Sequence, residues 1–230
     1  MKNILQEKPL KNLTGRLKYS VNFVEDKDIK NKNILDIGCG YGWCELNFLQ
    51  RGAKKISGIE ISEYDLSTVK EHVKHPKTEL KIGSALDIPY PDNYFDNIVS
   101  WEVIEHIPKN TEDKMFKEVG RVLKPGGSFY LSTPYKQVLS NILDPAWWLI
   151  GHRHYSKKQL KTYGEYVNFK IEKIKTAGGI WSLLSIINFY ISKWIFKKKP
   201  ILNSFFTKMD DKEYSAESGI FNIFIKYRKL

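Results

Sequence analysis

The stretch Asn33–Glu45, NILDIGCGYGWCE, limits the possible folds more than any other part of the chain. A short, mostly apolar run ends in an acid, Asp36, and is followed at once by three alternating glycines, Gly38, Gly40 and Gly42. The run reads as a strand buried on both faces, as in a parallel sheet. Glycine admits left-handed backbone and lets a ligand or another segment approach where a side chain would block it. A glycine turn at the carboxyl end of a first strand, opening into a helix, lies at the edge where parallel α/β sheets bind ligands.

The rest of the chain supplies that sheet. Residues 43–52 have helical spacing and a glycine stop, and 55–60 are strand-like. Residues 62–73 open with Ser62 and Asp65 in a capping pattern, and 79–83 and 95–100 again read as strands. In residues 111–123 Thr111 can cap a helix whose apolar stripe is Met115, Phe116, Val119, Val122 and Leu123. A turn, KPGG, then leads to a strand over 127–133. Strands alternating with helices predict a doubly wound parallel sheet with helices on both faces. Residues 169–174 and 220–228 alternate apolar and polar side chains, which predicts half-covered or edge strands. Residues 1–30 predict one or two N-terminal helices.

At 230 residues and 42% hydrophobic, the chain suits one domain over 1–230 with a full-sized core. Its net charge of +11 fits nucleic acid, an anionic membrane surface, acidic ligands or a lysine-rich solvated surface, and no RNA-binding module is attached. Both cysteines, Cys39 and Cys44, lie in the glycine segment, where a disulfide would distort the turn. Reduced thiols and the lack of a long apolar N-terminal run predict an intracellular, cytoplasmic protein. No CxxC or His/Cys cluster with zinc spacing occurs, so no metal is expected. Nothing in the sequence sets an oligomeric state.

A dinucleotide fingerprint would read G-x-G-x-x-G; here Trp43 stands where its third glycine should fall. The segment LDIGCGYG instead resembles motif I of the class I S-adenosylmethionine (SAM)-dependent methyltransferases. GIEIS at 58–62, residues 82–108, and EVGRVLKPGGSFYLSTP at 118–134 are similar to that family's following motifs, in order, over about 100 residues. The likeness is to the branch acting on small molecules, including quinone-biosynthesis enzymes. It implies a Rossmann-like, seven-stranded sheet with an antiparallel last strand. It also implies SAM as cofactor and S-adenosyl-L-homocysteine as product. Glu60 would hold the ribose hydroxyls, a role that suits a carboxylate facing two donors. Asp36, Gly38, Cys39, Gly40, Tyr41 and Gly42 would form the cradle, with Ile61 beside Glu60. Ser84, Ala85, Leu86 and Asp87 would meet the adenine, with Ser84 where many members carry Asp. Ser100, Trp101 and Glu102 would face the methionine portion.

For the acceptor, an oxygen or activated carbon must lose a proton, and histidine suits that. His106 follows the fourth strand; His152 and His154 lie in GHRHYS, which resembles the segment bordering the acceptor pocket in quinone-type enzymes. Tyr135, Trp147, His152 and Tyr155 are candidate acceptor contacts, and Ser156 is a helix cap. An NPPY-type motif is absent, as are paired catalytic cysteines, which argues against amide, adenine and cytosine-carbon methylation. Residues 180–196 are densely apolar and end in three lysines, but polar residues interrupt them and the length is marginal for a membrane span. Segments 135–168 and 180–215 therefore read as covering the substrate or facing an anionic membrane through 180–199, with a helix pair packed into the core as the other reading of 180–199. The leading reading is O- or C-methylation of a small, apolar or lipid-like acceptor. A polar acceptor such as a glycan head group, and a SAM-binding module without catalysis, stay open; a nicotinamide-dependent oxidoreductase is the distant alternative.

Overall fold

The computed structural model describes residues 9, 12–137, 144, 147, 151–198, 200–216 and 218–230. Seven strands form one sheet: β1 (Asn33–Ile37), β2 (Lys55–Glu60), β3 (Thr78–Ile82), β4 (Phe95–Trp101), β5 (Leu123–Pro134), β6 (Phe169–Ala177) and β7 (Asn222–Lys229). Their order is β3-β2-β1-β4-β5-β7-β6. All pairs are parallel except those of β7, which runs antiparallel to β5 and β6, with Leu131 and Ile174 both opposite Ile225. The order reverses between β1 and β4, and this switch point opens a crevice at their carboxyl ends.

Helices cover both faces. α1 (Gly15–Phe23) and α2 (Trp43–Gln50) pack Val21, Phe23 and Phe48 against Ile34, Ile56, Val99 and Phe224 on one side. On the other, α4 (Glu112–Val122) buries its expected stripe completely, against Phe129 and Tyr227. α3 (Glu63–His72) starts at Ser62, whose hydroxyl accepts from the Asp65 N–H. α5 (Lys157–Tyr166) starts at a full capping box of Ser156 and Gln159. α6 (Ile180–Tyr190), a π-helical turn (Ile191–Ile195) and α7 (Asn203–Tyr214) form a hairpin that rests on α1.

Three local expectations are corrected. The Thr111 hydroxyl donates to the Pro108 carbonyl at 2.6 Å and makes no cap. KPGG lies within β5 and not before it: the pairs Phe95–Leu123 and Asn97–Ser128 leave residues 124–127 looped out, with Gly126 at φ +71°. β7 is neither an edge nor half-covered. It lies between two strands with residues 222–227 buried, because the charge of Lys226 is met inside by Asp28 at 2.9 Å and Glu172 at 3.2 Å.

Gly42 serves packing. Its φ is +89°, and a Cβ there would lie 2.2 Å from Val73 Cγ2 and 3.3 Å from Val69 Cγ1. Gly42→Ala combines backbone strain with overpacking, and we expect it to cost about 1–3 kcal/mol, read from the urea midpoint of unfolding.

Candidate functional site

A cavity of about 490 Å³ opens at the carboxyl ends of β1, β2 and β4, a size typical of small-ligand sites. The glycine turn forms one wall. The N–H groups of Gly38 and Cys39 both donate to the Ile59 carbonyl, at 2.9 and 3.3 Å, which ties the turn to β2. The Gly40 N–H donates to Glu60 Oε1 at 2.6 Å. Gly40 has φ +57°, and a Cβ there would meet nothing within 4 Å, so the space in front of it is open. Burial pushes the Glu60 carboxyl above its usual value, against the opposing effect of the Gly40 N–H.

Of the residues expected at a cofactor, Gly38, Gly40, Tyr41, Glu60 and Ile61 line the cavity on this side. Ser84, Ala85 and Leu86 line it from the loop after β3, and Trp101 and Glu102 from the end of β4. The Ser84 hydroxyl accepts from the Leu86 N–H at 3.1 Å and so shapes that loop. Five expected contacts lie elsewhere. Asp87 is exposed outside the cavity, Ser100 is fully buried in the sheet, and Gly42 packs on α3. Cys39 turns towards β2, where its Sγ would lie 2.8 Å from a Cβ at Gly58. Asp36 is 1% exposed beneath the turn.

Asp36 has a partner that sequence reasoning missed. Glu45, on the first turn of α2, is fully buried, and the missing side chain of Gly58 makes room for it. Asp36 Oδ1 and both Glu45 carboxylate oxygens have no hydrogen-bond partner among the described residues. Burial raises both carboxyls. Asp36 is pushed up to about 7, with the Cys44 thiol acting the other way and the charge of Glu60 adding to the rise. Glu45 is raised well above its usual range by burial and then by the charge of Asp36. The pair therefore holds a proton near neutrality.

At the far end, Glu102 has φ +57°, left-handed backbone that a non-glycine residue adopts only when its surroundings enforce it. Its carboxylate accepts from Arg16 and Asn222 at 2.8 Å each and from the Ser132 hydroxyl at 2.7 Å, which joins α1, β5 and β7 at the cavity mouth. Arg16 carries no sequence signal, because only the folded chain brings α1 to β4. His106 lines the cavity beside Glu102. Burial, and then His152, hold its imidazole down to about 4. His152 Nε2 lies 3.1 Å from His106 Nε2, so the two histidines meet at the wall.

The other acceptor candidates do not reach the cavity. His154 is 5% exposed, with Nε2 2.8 Å from Asp144 Oδ2. Tyr155 is 2% exposed, and its hydroxyl lies 3.0 Å from the Ile104 carbonyl and 2.9 Å from Glu112 Oε1. Tyr135 pairs with Tyr155 through an isolated bridge, and Trp147 packs edge-on against His154 at 5.2 Å. Asp65, Thr68 and Val103 line the cavity without having been foreseen. Asp65 and Thr68 share α3, whose placement over the turn depends on packing, and Val103 adds an apolar side chain of the kind found throughout the core.

A doubly wound sheet with an antiparallel strand inserted next to its edge, and an acid over a glycine turn at the switch point, defines a Rossmann-like nucleoside-binding domain. Residues 34–127 match the family model described as a methyltransferase domain. Over this part the chain is similar to class I SAM-dependent methyltransferase domains. The chain is 36% identical to 24-methylenesterol C-methyltransferase 2 of Arabidopsis thaliana, over 44% of itself and 28% of that protein. It is 33% identical to the ubiquinone biosynthesis O-methyltransferase of Pelagibacter ubique, over 51% of itself and 48% of that protein. Among solved structures, geranyl diphosphate C-methyltransferase of Streptomyces coelicolor, bound to S-adenosyl-L-homocysteine, shares the fold. Its TM-score is 0.65 at 13% identity, covering 93% of this chain and 77% of that one. The chain spans about half, or less, of the length of the curated relatives it matches.

The cavity fits SAM in volume, in the open space before Gly40 and in the carboxylate of Glu60. A cationic ligand over the turn favours ionised Asp36, so its binding should release a proton. In the free protein Asp36 titrates above its unfolded value of about 3.9, so its stabilising contribution is complete below that value and is lost as pH rises through about 7. SAM affinity should therefore strengthen as pH rises through about 7. Calorimetry in buffers of different ionisation enthalpy should show proton release that disappears in Asp36→Asn.

Proposed function

We propose that this protein transfers the methyl group of SAM to oxygen or carbon of a small, apolar or lipid-like acceptor. In this reading Glu60 holds the ribose diol, Ala85 and Leu86 border the adenine, and the Gly38–Tyr41 turn carries the amino-acid tail above Asp36. SAM supplies a methyl carbon already activated by its sulfonium. The chain's task is then alignment and exclusion of water, with Trp101, Glu102 and His106 bordering the acceptor end and His106 offering an imidazole there.

The observation that carries the apolar reading is the α6–α7 hairpin. Of the fifteen exposed large hydrophobic residues described, eight lie between Ile180 and Phe205, among them Ile195 at 69% and Phe196 at 55%. Such a patch on a monomer marks an interaction surface. Exposed Lys197 and Lys198 follow it, the pattern of a segment resting on an anionic bilayer. No helix of the described residues is long and apolar enough to cross a membrane. The ubiquinone and sterol enzymes among the relatives are consistent with an acceptor that partitions into lipid.

The test is methyl-labelled SAM incubated with the protein and an extract of its source cells, followed by organic–aqueous partition. Label in the organic phase that disappears with Glu60→Ala supports the proposal. Label confined to the aqueous phase overturns it in favour of a polar acceptor. The protein should also sediment with phosphatidylserine vesicles, and the pair Ile195→Asp and Phe196→Asp should abolish this.

A further inference from the structure

We propose that Asp144, His152 and His154 form a binding site for one divalent transition-metal cation of the zinc type. The sequence offers no zinc-like cysteine spacing, but the fold brings this His-x-His pair to a buried carboxylate. Residues 151–154 run without helix up to Tyr155, which pairs beside Tyr135. Both imidazoles of the pair turn a nitrogen towards the same oxygen, Asp144 Oδ2, at 2.8 Å from His154 and 3.6 Å from His152. Arg153 between them is anchored elsewhere, with Nη2 2.7 Å from the Ile104 carbonyl and 2.6 Å from the Ile107 carbonyl. The Asp144 and His154 side chains are 3% and 0% exposed, and that of His152 is 13% exposed.

The decisive atom is His152 Nδ1. It is buried and has no hydrogen-bond partner among the described residues. Its distance to Asp144 Oδ2 is 3.6 Å, too long for a hydrogen bond. With metal bonds of about 2.0–2.1 Å, adjacent ligands of a tetrahedral ion lie about 3.3 Å apart. The three donors lie close enough together to share one ion: His154 Nε2 is 2.8 Å and His152 Nδ1 3.6 Å from the same carboxylate oxygen, and one donor atom from each residue lies within 4.8 Å of the others.

The surroundings complete the arrangement. A histidine that ligates through Nδ1 carries its proton on Nε2, and ligating imidazoles donate that proton to an outer partner. His152 Nε2 has such a partner, His106 Nε2 at 3.1 Å. Two neutral nitrogens and one carboxylate suit zinc and its neighbours better than magnesium or calcium, which take oxygen ligands. Among the described residues the set has three protein ligands, the number catalytic zinc sites use. Through His152 the ion would fix the His106 side of the cavity wall, so the site belongs with the acceptor end and not with SAM.

The full-length protein, stripped by chelator dialysis, is titrated with zinc in competition with a chromophoric chelator, and with cobalt to read geometry by its visible bands. The proposal predicts one equivalent bound, a tetrahedral cobalt spectrum and a rise in melting temperature with zinc. It also predicts an affinity loss of at least about 100-fold in Asp144→Asn and in His152→Ala. These two are chosen because His154→Ala, deep in the core, could fail to fold; each variant is checked by melting temperature without metal. His72→Ala/His75→Ala, which removes the exposed histidines, should bind as the parent does. Absence of saturable binding, an octahedral cobalt spectrum, or affinity unchanged in both site variants would overturn the proposal.

Discussion

Replacing Glu60 by alanine is expected to weaken SAM binding by about 100-fold or more. The ribose offers two hydroxyl donors, and a hydrogen bond to a charged acceptor contributes about 1.5–3 kcal/mol. Losing both removes about 3 kcal/mol or more, which is at least two factors of ten in the dissociation constant. The same carboxylate accepts from the Gly40 N–H at 2.6 Å in the free protein, so alanine also loosens the turn that forms the facing wall. Glu60→Gln keeps the shape and one acceptor oxygen and should lose about 10-fold. Isothermal titration with SAM reads both values, and an unchanged melting temperature shows that the fold has been kept.

Lys226→Ala should be the most destabilising single change in the sheet. The lysine side chain is 2% exposed, in the middle of β7, with Asp28 at 2.9 Å, Glu172 at 3.2 Å and Glu25 at 3.3 Å. Asp28 also accepts from the Tyr130 hydroxyl at 2.5 Å, so one buried network ties the turn after α1 to β5 and β7. Removing one partner of a buried pair leaves the other charge uncompensated, at a cost of about 3–5 kcal/mol. For a chain of this length that is roughly 6–20 °C in melting temperature. Asp28→Asn in the Lys226→Met background should recover much of the loss, because the stranded charge is then gone. The network also sets an acid limit. Burial alone would raise the Asp28 carboxyl, but the Tyr130 hydroxyl and Lys226 outweigh it and hold it low. Its contribution is present above the unfolded value of about 3.9 and is lost as pH falls through the lower folded value, where Lys226→Ala and the parent should converge.

Lys226 also shows where sequence reading stops. Alternation in residues 220–228 signals a half-covered strand when each polar residue is assumed to face water. Here Asn222 and Lys226 are polar yet buried. Their partners, Glu102, Asp28 and Glu172, lie far away in the chain, and local patterning carries no information about pairing at that distance. The stripe of α4, the Ser62 cap and the strand before the glycine turn were legible because each follows from residues within a few positions of one another.

The same division runs through the candidate site. Glu60, Gly38 and Gly40 stand at positions fixed by strand ends, and they line the cavity. Glu45 gave no signal because an acid on the first turn of a helix ordinarily reads as a solvated residue favoured by the helix dipole. Only the register of β2, which sets Gly58 against it, shows that it is buried. Tyr155 and His154 were expected at the acceptor because GHRHYS resembles the segment bordering the acceptor pocket in quinone-type enzymes. Here the core claims both, through partners on other elements, Asp144 for His154 and Glu112 for Tyr155.

The most direct test of the account is a crystal structure of the protein with S-adenosyl-L-homocysteine. The account predicts the ribose hydroxyls on the Glu60 carboxylate, the adenine against Ala85 and Leu86, and the sulfur directed towards Glu102 and His106. A nucleoside bound away from Glu60, or with its sulfur turned from the His106 end, would contradict it.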